Sequence, residues 1–321
     1  MSISITAVTL SAAVVVAGGS LTATVHLNAI PTFDVVASIA ILPAADAALA
    51  PKTITIPKGC QTGSFSITTS TAVTAEASAV VNANYNTTQQ AAFTITPAPK
   101  PTFVDNFTGP TLNTANWIVS NYTANNYGGA GSDVTFTSSN IDFSQGMLRM
   151  ELNVPTATIS TGAEIQSKQT FGYGTYTTVM RMASTSATAA GAGGTVSGSD
   201  SSIFSYINNS ESEIDTEFCG NTPGLINYTN WDTLAKNQWT GPTIANLAAG
   251  FHTYTMVWTA GQITWSIDGQ LLATHTQNVP STPAYIMFNF WGTNSKSWGG
   301  LATPGVVRYF YVKSVSFTPA S

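Results

Sequence analysis

Residues 211–218 read ESEIDTEF, with acids at Glu211, Glu213, Asp215 and Glu217. The chain has fifteen Asp and Glu in 321 residues, so seven residues should hold about a third of an acid; Glu211–Glu217 holds four. A spacing of two is the period of a β-strand, whose residues i, i+2 and i+4 point to the same side. Glu213, Asp215 and Glu217 are therefore expected on one face of one strand. Ile214, Thr216 and Phe218 are expected on the other, against a core. Like charges held this close disfavour full ionisation, so stability alone does not select the pattern.

Outward from this segment the chain stays strand-like. MLRMELNV (147–154), GTYTTVMRM (174–182), SSIFSYI (201–207), TYTMVWT (253–259), QITWSID (262–268), AYIMFNFW (284–291) and VVRYFYVKSVSF (306–317) are apolar, β-branched or aromatic runs bounded by turn residues. Asp268-Gly269 marks a tight hairpin turn. ATAAGAGGTVSGSD (187–200) reads as a low-complexity loop. No long helical period is present. The expectation is a curved antiparallel β-jelly-roll sandwich over residues 102–321. PAPKP (97–101) is a stiff Pro-rich linker. Before it, SLTATVHL, KTITIPKG, GSFSITTS, AVVNANYN and AAFTITP alternate at period two. About seven short strands predict an antiparallel β-sandwich module over residues 1–96. The fold class is thus all-β throughout.

Composition excludes several functions. Charged residues are 8% of the chain, against about 25% in an ordinary soluble domain. The net charge of −5 leaves no basic field for nucleic acid. No run of about 18 apolar residues spans a membrane. The N-terminus MSISITAVTLSAAVVV lacks a basic n-region and reads as a strand, not a signal peptide. The uncharged Thr/Asn-rich surface is that of an exported protein. Cys60 and Cys219 make no disulfide framework and read as packed thiols. His26, His252 and His275 lack metal-ligand spacing, and no phosphate-loop or dinucleotide fingerprint occurs. A monomer is the default.

Three carboxylates on one face suit glycosidic-bond cleavage, which needs one acid as nucleophile and one held protonated near neutral pH. A middle acid couples the two. Cα atoms four residues apart on a straight strand lie about 13 Å apart, whereas a retaining mechanism wants carboxyl groups about 5–5.5 Å apart. The strand must therefore bend, concave toward its substrate. The alternation equally describes a solvated outer face or a calcium site.

SEIDTEF resembles the E-I-D-x-E-F signature of glycoside hydrolase family 16. VDNFTGPTLNTANW (104–117), NIDFSQGMLRMEL (140–152), AEIQSKQTFGYGTYTTVMRM (163–182), GFHTYTMVWTAGQITWSIDGQLL (250–272) and PSTPAYIMFNFWG (280–292) follow in that family's order. The resemblance covers about residues 102–321. It implies a retaining endo-acting enzyme with Glu213 as nucleophile, Glu217 as acid and base, and Asp215 as the assisting carboxylate. The single residue between Asp215 and Glu217 resembles lichenases, which cut β-1,3-1,4-glucan, and xyloglucan endotransglycosylases. The laminarinase-like branch inserts a bulge residue there. EFCGN is similar to the xyloglucan group's EFLGN, so a xyloglucan-active hydrolase or transglycosylase and a β-1,3-glucanase are the alternatives. A non-catalytic binding protein on the same fold is a further one.

The lichenase pattern also implies sugar contacts at Glu164, Asn289 and Trp291, with Tyr206 on the strand before the acidic one. Trp231, Trp239 and Trp298 lie in polar segments that could border a cleft; Trp258 and Trp265 read as core. His252 is expected as a hydrogen-bonded core histidine. Gln166 stands where lichenases carry Arg, and Glu211 where they carry Trp. Phe310 stands where many members hold a structural calcium through Asp, so no metal ligand and no cofactor are expected. Residues 1–97 resemble a bacterial immunoglobulin-like module. The implied partner is a β-glucan polysaccharide, and the implied location extracellular.

Overall fold

The computed structural model describes residues 2–43, 47–98 and 102–320. Of the linker, residues 99–101 lie outside that set. The chain forms two compact units, Met1–Lys100 and Pro101–Ser321.

The first unit is two facing sheets. One has the order Ile5–Leu10, Ser20–Leu27, Thr62–Thr69, Ala47–Leu49. The other has the order Val14–Val16, Thr87–Thr96, Ala77–Tyr85, Val35–Leu42, Thr53–Ile56. Alternate residues such as Leu21, Val25, Ile67, Val35, Val81 and Ile95 close one shared core. Sequence pattern predicts about seven strands; nine are present among the described residues. One extra short piece arises because the N-terminal run is split, and another is the edge strand Ala47–Leu49. Ile5–Leu10 pairs antiparallel in one sheet, and Val14–Val16 crosses to pair parallel with Thr94–Thr96 in the other. Gly18, at φ +84°, turns the chain back to the first sheet. Cys60 is exposed rather than packed.

The second unit is the curved jelly roll. Its inner sheet runs Trp117–Val119, Ile159–Phe171, Ala284–Gly292, Ser199–Ile207, Ser212–Cys219, Asn227–Thr233, Lys236–Thr240. Its outer sheet runs Ile141–Asp142, Leu148–Thr156, Arg308–Pro319, Gly174–Ser184, His252–Thr259, Gln262–Ile267, Gln270–His275. Ile165, Ile214, Phe218, Ile286, Phe288 and Phe290 face Leu148, Met150, Met180, Trp258, Val312 and Phe317 in one core. Alternation is clean where one face meets solvent: Leu148, Met150 and Leu152 are buried, while the residues between them are partly exposed. Ala284–Gly292 is buried at nearly every position, because it lies centrally with neighbours over both faces. Trp258 and Trp265 are core residues, as expected.

Three local readings change. His252 is not in the core: its Nδ1 pairs with Asp268 Oδ2 at 2.7 Å near the surface. The buried histidine is His275, which bonds Asn230 Oδ1 at 2.6 Å and Thr240 Oγ1 at 2.8 Å. The stretch 187–200 is not wholly a free loop. Arg181, fully buried, donates to the Ala189 carbonyl at 3.0 Å and to that of Gly191, and so gathers the loop onto the outer sheet. Its last two residues, Ser199 and Asp200, already belong to an inner-sheet strand. Asp268 and Gly269 both have positive φ, as a type I′ hairpin turn requires.

Candidate active site

Cross-strand partners in a sheet point to the same side, so the register of the inner sheet lays out the site. Glu164, Asn289, Ser202, Glu217 and Asn227 form one row across five strands. Gln166, Met287, Phe204, Asp215, Thr229 and Trp239 form the next. Tyr285, Tyr206, Glu213, Trp231 and Asn237 form a third. Trp291, Asp200 and Cys219 form a row on the far side of Glu217. The acidic strand keeps its pairing register from Ser212 to Cys219, with no bulge. Ile214 and Phe218 point into the core, and Glu213, Asp215 and Glu217 point out of it.

The three acids open into a cleft of about 420 Å³ walled by Trp231, Trp239, Trp298, Thr229 and Asn237. Glu213 and Glu217 are partly exposed to it, while Asp215 is buried. The turn before the acidic strand places Asn208, Asn209 and Ser210 consecutively at positive φ. Asn tolerates that region and Ser does so less readily. The turn brings the Ser210 hydroxyl onto Glu213 Oε2, to which it donates. Trp231 Nε1 donates to Asp215 Oδ2 at 3.1 Å.

Burial raises all three acids above the ordinary carboxylate range. For Glu213 the hydrogen bonds from Ser210 and Asp215 work against burial and favour the charged form. For Asp215 the neighbouring Glu213 charge adds to burial, so the proton shared by this pair sits on Asp215. For Glu217 burial is followed by the charges of Asp200, Asp215 and Glu213, all raising it. Donors oppose the rise at Glu213, whereas burial and like charge all raise Glu217, so the two carboxyls are pushed apart in proton affinity, the direction a two-carboxylate mechanism uses.

The structure brings the sequence-predicted contacts together unevenly. Glu164, buried, accepts from Ser120 Oγ at 2.6 Å and from Tyr122 Oη at 3.5 Å; burial raises it, against these donors and Asn289. Asn289 Oδ1 accepts from Ser202 Oγ at 2.6 Å. Tyr206 lies in the Glu213 row, half-buried. Trp291 is buried against Val134, Phe136 and Tyr127 and does not line the acid cleft, where Trp231, Trp239 and Trp298 do. Glu211 lies in the turn and accepts from Asn208 Nδ2 at 3.0 Å. Phe310 is a core ring, 6.2 Å from that of Phe290, and its side chain carries no oxygen ligand.

Sequence reasoning missed Asp200, Ser210, Ser120 and Tyr122. Asp200 was legible in part: extending the alternation of SSIFSYI back to Gly198 puts it on the face of Ser202. Gly198, at φ +85° and with the Ala302 backbone where a Cβ would sit, turns the chain into the strand, which starts at Ser199.

Known proteins resemble the chain in sequence and fold. The model for glycosyl hydrolases family 16 matches residues 128–308. A β-glucanase of Paenibacillus polymyxa is 32% identical over 195 residues, 57% of this chain and 76% of that protein. A β-glucanase of Bacillus subtilis is 32% identical over 176 residues, 52% of this chain and 67% of that protein. Among solved structures, Bacillus licheniformis β-glucanase superposes with a TM-score of 0.57 at 27% identity, covering 68% of this chain and 98% of that one. The laminarinase catalytic domain from Thermotoga maritima reaches 0.56 at 14% identity, over 70% and 99%, and shares the fold. With the acidic strand and its cleft inside the matched span, the chain belongs to the glycosyl hydrolases family 16.

Proposed function

We propose that the chain is an exported, monomeric endo-β-glucanase that cuts β-1,3-1,4-glucan with retention. The carrying observation is the bulge-free acidic strand, which presents Glu213, Asp215 and Glu217 together to a tryptophan-walled cleft. A Glu213 carboxylate oxygen attacks the anomeric carbon, and the bond from that carbon to the glycosidic oxygen breaks. Glu217 gives its proton to the departing oxygen, leaving a glycosyl ester on Glu213. Water then attacks the same carbon, Glu217 takes the water's proton, and the Glu213 carboxylate leaves. Asp215, carrying the proton shared with Glu213, hydrogen-bonds the nucleophile and loosens or tightens that bond as charge moves. Trp231, Trp239 and Trp298 offer ring faces to the sugars, and Glu164, Asn289 and Tyr206 offer hydrogen bonds. Residues 1–96 act as a spacing or wall-binding module.

The β-glucanase names of the relatives support this substrate class, and the unbulged spacing supports the mixed-linkage glucan within it. A β-1,3-glucan substrate is favoured instead by the equal structural likeness to laminarinases. Product analysis on barley mixed-linkage glucan, laminarin and xyloglucan, with Glu213→Gln as control, decides among them. Oligosaccharides from mixed-linkage glucan alone, lost by more than about 10³-fold in the variant, are expected. Products from laminarin or xyloglucan instead would overturn the substrate and keep the mechanism. Full activity in Glu213→Gln would overturn the mechanism.

A further inference from the structure

Asp200 is a further carboxylate of the inner sheet, and the double displacement above gives it no task. It is completely buried. It stands in register with Cys219 on the acidic strand and with Trp291 on the other side. The adjoining row on the same face holds Ser202 paired with Glu217. Its Oδ2 accepts from Trp298 Nε1 at 2.7 Å, and Trp298 walls the cleft beside Glu217. Its Oδ1 is buried with no hydrogen-bond partner. A buried carboxylate with an unpartnered oxygen is costly, and a packing role would be filled more stably by an apolar side chain.

We propose that Asp200 is a positioning residue for the reaction: it locks the Trp298 indole into the cleft wall and, by its charge, keeps the proton on Glu217. This rests on the reading of Glu217 as acid and base. The titratable groups facing Asp200 are Glu217 and Asp215 from the acidic strand, the Cys219 thiol, and Tyr127 from the loop packed on Trp291. The strand Ala284–Gly292 faces it with uncharged side chains only. Burial pushes Asp200 itself up to about 7, against the indole N–H and the Cys219 thiol. As pH rises past that value Asp200 becomes charged, and of the neighbouring charges it raises Glu217 most. Glu217 thus holds its proton further into the alkaline range, where a lone buried acid would release it. Cys219 lies 3.9 Å from Asp200 as a neutral thiol, since burial and the same charge push it up.

The test is the pH profile of kcat/KM on whichever of barley mixed-linkage glucan and laminarin the unmodified enzyme cuts. Asp200→Asn keeps an oxygen for the indole N–H and removes the charge. Its alkaline limb is expected about one pH unit lower, the size of one nearby like charge. The loss then grows about tenfold from pH 5 to pH 8, carried by kcat rather than KM. A uniform loss with an unmoved limb would overturn the proposal and leave Asp200 a structural residue. If thermal melting shows that Asp200→Asn does not fold, Trp298→Phe removes the donor that favours the Asp200 charge. Its alkaline limb is expected lower as well, and an unmoved limb overturns the proposal. Glu217→Gln is run beside these variants. If it stays active on the polysaccharide, the reading of Glu217 fails. If it is inactive while the Asp200→Asn limb does not move, only the role of Asp200 fails.

Discussion

His275 makes the catalytic unit acid-sensitive in a way that can be separated from its carboxylates. It is fully buried, bonded on both ring nitrogens to neutral partners, and set edge-on to Trp265 with ring centroids 4.6 Å apart. Burial lowers its pKa from 6.5 to about 4. Unfolded, the ring takes a proton below about 6.5; folded, it does not until about 4. The unfolded state therefore binds more protons in that window, and stability falls as pH falls through it. A shift of about 2.5 units at 1.36 kcal/mol per unit is about 3 kcal/mol, present above pH 6.5 and lost by pH 4. The raised carboxylates Glu164, Asp200, Glu213, Asp215 and Glu217 act oppositely, because their folded values lie above the unfolded ones and acid favours the folded state. The difference between the unmodified chain and His275→Gln cancels them. The assay is urea unfolding followed by tryptophan fluorescence at pH 7, 5.5 and 4. All seven Trp lie after residue 101, so the signal reports the second unit alone. His275→Gln is expected less stable at pH 7, and its deficit should shrink by about 3 kcal/mol at pH 4. A deficit constant within about 1 kcal/mol across that range would refute the reasoning.

Two further outcomes follow from the site. Ser210→Ala removes the hydroxyl that favours the charged Glu213, so Glu213 protonates more easily. The acidic limb of kcat/KM moves to higher pH while the alkaline limb stays, and an unchanged acidic limb would count against the nucleophile assignment. Trp239 is 55% exposed, lines the cleft, and is tethered through Nε1 to Asn227 Oδ1 at 3.1 Å. Trp239→Ala is expected to raise KM about fivefold, the worth of about 1 kcal/mol of ring stacking, with kcat little changed; a fall in kcat at constant KM would contradict a sugar-platform role.

The acidic strand shows why much of this molecule was legible. Period two is a property of a single strand, so ESEIDTEF announces its own two faces without knowledge of any neighbour. The same holds for MLRMELNV, for the Asp268-Gly269 turn and for the buried Trp258 and Trp265. Local patterns failed where a residue's environment comes from elsewhere in the chain. His252 and His275 are indistinguishable by sequence. One is placed beside a turn carboxylate, and the other under the strand Asn227–Thr233, only by how hairpins stack. Arg181 reads as an exposed basic residue until the carbonyls of the loop after it fold back over its guanidinium.

By itself the sequence determined an all-β chain in two parts, a strand with three acids on one face, and the family signature around it. The tertiary structure alone decided which groups meet those acids. Trp298 reaches Asp200 across 98 positions, and Asn289 reaches Ser202 across 87. The physical reason is register. A strand's faces follow from its own residues, but its partner and offset follow from the packing of the whole sheet, and the proton affinities of Glu213 and Glu217 are set by those partners.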